Sequence, residues 1–148
     1  MRRLQKKINW LTLVLLAGLL AHSLIFLYIN RTLDPLGDLS PQQWMLRQER
    51  RRLAEGIAAV CGGLYSLGHL CLIGIHLRKG SLPPVPEMLV YWLRQIGWML
   101  VCTVPFALMD TIFWGDHLFP LWSLMGSVLF LFALGVAARL YQKRSCPG

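Results

Sequence analysis

Long apolar runs alternate along this chain with short clusters of charge. From Ile8 to Ile29 no side chain carries a fixed charge. Similar stretches follow at Leu53–Leu77, Met88–Phe113 and Leu121–Tyr141, with Glu55, Arg94, Asp110 and Arg139 as the ionised exceptions. Each stretch meets the roughly 20 mostly apolar residues that carry an α-helix across a bilayer. Hydrocarbon offers no partner to backbone N–H and C=O groups, so such stretches must satisfy them internally, as helices do. The pattern predicts an all-α polytopic membrane protein: one transmembrane domain over residues 1–148, a bundle of four helices spanning about 8–29, 53–77, 88–113 and 121–141.

The polar segments punctuate this pattern. Asn30 to Ser40, with Pro35 and Gly37, reads as a loop. Ser40-Pro41-Gln42-Gln43 reads as a helix start: Ser40 can cap, Pro41 suits the first helical position, and Gln43 completes a capping box. No breaker separates this start from Leu53. The second helix is therefore expected to be extended at its outer end by an amphipathic segment carrying Trp44, Arg47 and Arg50–Arg52, as one long helix or with a bend near Gly56. Prolines 83, 84 and 86 end the second stretch in a turn. Trp114–Pro120 reads as a tight aromatic turn before the fourth span, Gln142–Gly148 as a loose tail, and Pro105 as a kink that frees the carbonyl near Val101. Ala21-His22-Ser23 has the small-x-small form of a signal cleavage site, but the apolar run continues to Ile29, as expected of an anchor.

Composition agrees with the pattern. The 148 residues are 55% hydrophobic and only 15% charged, against about a quarter charged in soluble domains. Four spans leave no room for a separate soluble domain. The net charge of +8 points to anionic lipid headgroups rather than nucleic acid, because the tails are too short to form a basic surface outside the membrane. With the N-terminus inside, nine Lys and Arg residues fall on the cytoplasmic side (2, 3, 6, 7, 78, 79, 139, 143 and 144) and five on the other (31, 47 and 50–52). The excess places both termini in the cytoplasm of a bacterial inner membrane. Trp10, Tyr91, Trp92 and Tyr141 would mark the inner boundary, and Tyr28, Trp44, Trp114 and Trp122 the outer one. Cys61, Cys71 and Cys102 read as small buried hydrophobes.

Candidate chemistry is sparse. Ala58/Gly62 and Ala59/Gly63 are small-xxx-small pairs that let helices approach closely in lipid. They suit internal packing or a docking face for another membrane protein. Arg94 is expected to snorkel or pair with Glu87. Asp110 is expected to pair with Arg31 or with one of Arg47, Arg50, Arg51 and Arg52 at the outer rim, or to hold a cation or proton. His22 and His69 invite a haem reading, but at 1.5 Å per residue they sit about 21 and 12 Å from the inner boundary, a poor match for bis-histidine ligation. His117 beside Asp116 could join a weak surface metal site. GxSxG, HExxH and P-loop motifs do not occur, and Ser40, Ser66, Ser81 and Ser123 have no evident base nearby. No cofactor or metal is expected, and no enzyme activity.

The leading expectation is a non-catalytic membrane protein that acts on a partner membrane protein, or on further copies of itself, in an accessory, assembly or protective role. Helix packing and the basic segment Arg47–Arg52 would carry the contacts. In size, charge and span count the chain resembles the small immunity proteins of pore-forming bacteriocins, an example of that class that rests on no motif. The alternatives are a small oligomeric transporter or channel subunit using Asp110 and Arg94, and a haem-binding redox protein using His22 and His69.

Overall fold

The computed structural model describes residues 2–32, 39–110 and 114–145, and their side chains for 10–32, 39–110 and 115–144. Among the described residues there are four helices: α1 (Arg2–Thr32), α2 (Pro41–Arg78), α3 (Val85–Met109) and α4 (Trp114–Ser145). Each is long and apolar enough to cross a membrane, and the protein is a multi-pass membrane protein built as an all-α four-helix bundle.

Local chemistry explains the element ends. Ser40 accepts from the Gln43 backbone N–H while the Gln43 side chain accepts from the Ser40 N–H, so the capping box is formed. α2 then runs unbroken to Arg78, with no interruption at Gly56. It stops where Gly80 takes φ +65°, a left-handed conformation open to glycine at little cost. Pro84 caps α3, whose end falls at Met109 rather than Phe113; residues 111–113 lie outside the described residues. Two further expectations are corrected. The segment Trp114–Pro120 is not a turn but the first two turns of α4, with Pro120 inside the helix. The tail is helical as far as Ser145.

Going around the bundle, α1 packs on α2, α2 on α4, α4 on α3 and α3 on α1, with α1 and α4 also meeting across the diagonal. The core contains Leu15, Leu19, Tyr65, Met88, Trp92, Met99, Leu121, Leu124, Val128 and Leu131. The outside is equally apolar: Leu64, Leu67, Leu129 and Phe130 are exposed. In lipid, close approach therefore replaces hydrophobic burial as the source of association. At Gly18 an added Cβ would lie 2.5 Å from Cys61 Cβ, and at Gly62 it would lie 2.9 Å from Leu124 Cδ2. Cys61 and Cys102 are half-buried, but Cys71 faces outward and is not the buried hydrophobe expected.

Candidate functional site

The periodicity of α2 sorts its small residues onto two faces. Ala54, Ala58, Gly62, Tyr65 and His69 point into the bundle. Gly56, Ala59 and Gly63 point out, and a Cβ added at Gly56 or Gly63 would meet nothing within 4 Å. The two pairs read from the sequence thus separate: Ala58/Gly62 lies on the internal packing face, and Ala59/Gly63 on the open face.

This open face forms one wall of a cleft of about 320 Å³ between α2 and α4. Both small pairs, Ala58/Gly62 and Ala59/Gly63, line it from α2 with Glu55 and Ser66, and Phe119, Pro120, Ser123, Leu124 and Ser127 line it from α4. His22 of α1 also borders the cleft. His22 is 1% exposed, and its Nδ1 has no hydrogen-bond partner among the described residues.

Outward of the cleft, all four helices contribute to a polar cluster. Asp110 Oδ2 accepts from Asn30 Nδ2 at 2.5 Å and lies 3.1 Å from His117 Nε2. Arg47 donates to Asn30 Oδ1 at 3.3 Å. Arg51 lies 2.9 Å from Glu55 and 3.6 Å from Asp116. Its guanidinium is 5.9 Å from the Phe26 ring, and that of Arg50 is 5.2 Å from the Tyr28 ring. Arg52 is exposed and forms no ion pair with a described residue. His117 is fully buried rather than a surface group beside Asp116. Its α4 position follows from the unexpected helicity of 114–120.

Toward the inner side, His69 packs among Tyr65, Tyr91 and Trp92. Its Nδ1 is 2.8 Å from the Tyr65 carbonyl and its Nε2 is 2.8 Å from Tyr91 Oη, so both ring nitrogens are engaged and neither is free for a metal in this arrangement. Trp92 is buried in this cluster rather than set at the interface. Thr12 donates to Gln95 at 2.7 Å and ties α1 to α3. His22 meets Phe26 instead, which leads on to His117. The structure therefore does not bring His22 and His69 together. Arg94 is exposed on α3. It stands 16 residues, or about 24 Å of helix, from Asp110, so the two do not share a site. Ser81 does meet a base: its Oγ is 2.8 Å from His76 Nδ1, within the exposed turn that ends α2.

The sequence does not mark Asn30 or Ser127 as candidates, because each becomes significant only when the helices are placed side by side. It does offer His117 and Ser123, but not as a partner of Asp110 and as part of a cleft wall. Comparison with protein-family models, with curated proteins and with solved structures finds no match.

Proposed function

We propose that this protein is a non-catalytic inner-membrane protein that works by binding a partner membrane protein, in an accessory, assembly or protective role. The observation that carries this reading is the exposed small-residue face Gly56, Ala59 and Gly63, of which Ala59 and Gly63 border a cleft. A helix backbone can approach such a face more closely than it can approach leucine or phenylalanine. The segment Arg47–Arg52 adds positive charge at the outer end of the same helix, with Arg52 available to an acidic partner or to an anionic headgroup. Both termini are placed in the cytoplasm on the Lys and Arg asymmetry. The test is affinity purification in mild detergent of the full chain beside its Gly63→Leu variant. Recovery of a defined partner by the unmodified chain, with loss of that partner from the variant, is the expected outcome. A chain recovered alone, under conditions that keep other membrane complexes intact, refutes it.

One observation favours a second reading. The Asp110–His117 contact is a buried ionisable pair at the end of α3, and ionisable groups within membrane bundles often mark proton or cation sites. A small transporter subunit built on this pair would lose measurable flux in proteoliposomes on Asp110→Asn. Absence of any flux through the unmodified chain removes the reading. Arg94, on the far part of α3, would have no part in such a path.

A further inference from the structure

We infer that the end of the bundle where α2 and α4 finish holds one anionic phospholipid, its phosphate taken up between Lys79 of the α2–α3 turn and Arg139 and Lys143 of α4. The site is separate from the α2–α4 cleft and stands independently of the partner-binding reading.

Charge balance comes first. Among the described residues, Arg78, Lys79, Arg139, Lys143 and Arg144 gather at this end, where the acid is Glu87 in the first turn of α3. The ion pairs among the described residues all lie at the other end, on Arg51 and His117. There Arg47 is also bonded to Asn30, and Arg50 stands over the Tyr28 ring. One end of the bundle answers its cations from within, and the other does not. Topology asks only for positive charge near the ends of the spans. It does not ask that two segments far apart in the chain be set side by side with that charge unanswered. Like charges so placed repel, and a bound anion relieves them.

The fold sets the two segments side by side. The N–H groups of Lys79, Gly80 and Ser81 donate to the carbonyls of Ile75, Leu77 and His76, and Ser81 Oγ lies 2.8 Å from His76 Nδ1, so the turn is folded on itself. A Cβ added at Gly80 would lie 3.3 Å from Gln142 Nε2, which sets the turn directly against the last turns of α4. Lys79 and Lys143 are the chain neighbours of these two touching residues, and both are exposed. Arg139 donates to Gln142 Oε1 at 3.0 Å and is held beside the same contact. A guanidinium has five N–H donors, so this bond leaves others for a phosphate, which arginine can grip in two-point fashion. The turn's own N–H groups are engaged within it, so cationic side chains rather than a backbone nest carry the anion. Depth selects a lipid over a soluble anion. Ile75 lies four residues before Lys79, and Leu140 lies three before Lys143 and four before Arg144, spacings that share a helix side. Both are exposed. Cations at the ends of the spans with apolar surface one turn deeper match a headgroup and its acyl chain. Basic pockets between transmembrane helices are a recurring mode of headgroup recognition.

The experiment titrates phosphatidylglycerol or phosphatidylcholine into the delipidated full chain in detergent and counts bound lipids by native mass spectrometry. Phosphatidylglycerol is expected to bind more tightly than phosphatidylcholine and to form a one-to-one complex. Lys79→Gln combined with Lys143→Gln should weaken that complex roughly ten- to thirtyfold, the order of what two cations contribute at an anionic membrane surface. Arg31→Gln combined with Arg52→Gln removes the same charge from the opposite end, at two exposed positions, and should leave the complex unchanged. Lys79→Arg combined with Lys143→Arg keeps both cations and should keep the binding, which separates loss of the site from loss of the fold. Equal affinity for the two lipids overturns the inference. So does equal weakening by the two glutamine pairs, which would report bulk attraction rather than a site. A loss with the arginine pair as large as with the glutamine pair also overturns it, because charge would then not be what the lipid reads. Displacement of the lipid by inorganic phosphate or by polyglutamate overturns it as well, because either assigns the cations to a soluble anion.

Discussion

The polar side chains inside this bundle divide into those that are paired and those that are not, and their substitutions should differ accordingly. Tyr65 is completely buried, and its hydroxyl has no hydrogen-bond partner among the described residues. Tyr65→Phe removes an atom that makes no hydrogen bond with a described residue and keeps the ring tilted against His69, centroids 4.3 Å apart. It should change stability by less than about 0.5 kcal/mol or raise it slightly. Tyr91→Phe deletes an atom of the same kind with the opposite result, because Tyr91 Oη is the partner of His69 Nε2. That nitrogen would be left unpaired in a low-dielectric interior, at about 1–3 kcal/mol. Thermal unfolding of both variants in the same detergent gives the comparison; a Tyr65→Phe loss as large as that of Tyr91→Phe would refute it. Among the described residues Asp110 meets both Asn30 and His117. Asp110→Ala should therefore cost more than Asp110→Asn, whose amide oxygen can still accept a hydrogen bond from Asn30 or His117. The same unfolding measurement reads the order.

At the scale of the helix, α2 is a ruler with two edges. Its inner edge cannot grow, because its close contacts are already filled: a methyl group added at Gly18 of α1 would fall 2.5 Å from Cys61 Cβ, an atom fixed to the α2 backbone. Its outer edge has open space at Gly56 and Gly63. Gly18→Ala should cost about 1–3 kcal/mol as an overpacked contact, while Gly63→Ala should be close to neutral or slightly stabilising, since alanine favours helix over glycine. Equal losses at the two positions would refute the assignment of faces. This division marks how far the sequence can be read. Charge-free runs, the Ser40–Gln43 cap and the prolines after Arg78 are local signals, and they locate the spans and the long second helix. The two small-xxx-small pairs are visible as well. Which of them faces inward is not. A soluble helix is oriented by the contrast between its polar and apolar sides, and a membrane bundle as apolar outside as inside lacks that contrast. Trp114–Pro120 reads as a turn for a related reason. Gly and Pro in a polar stretch usually signal a loop, yet α4 begins at Trp114 and continues through Pro120. A turn there would place His117 at the surface, and so the sequence conceals the contact of Asp110 with it.

For the whole molecule, the physical question is which leaflet meets the Arg47–Arg52 segment. The count of nine basic residues against five favours a cytoplasmic N-terminus, but the outer five weaken the bias. The fold ties that cluster into the bundle. Arg51 is shared between Glu55 and Asp116, Arg47 is bonded to Asn30, and Arg50 stands over Tyr28. These arginines fasten α2 to α1 and α4, whereas Lys143 and Arg144 at the opposite end of the bundle are exposed. Positive charge near the ends of the spans orients insertion, and the opposite end holds more of it. In a variant with Cys61, Cys71, Cys102 and Cys146 replaced by alanine, a single cysteine at Gln42 should react with a membrane-impermeant maleimide added to intact spheroplasts. A cysteine at Lys143 should react only after permeabilisation. Both positions are exposed at the helix surface, so accessibility reports the side of the membrane rather than burial. The reverse pattern would turn the bundle over. It would move the mouth of the α2–α4 cleft, with Arg52 and Glu55 beside it, to the cytoplasmic leaflet.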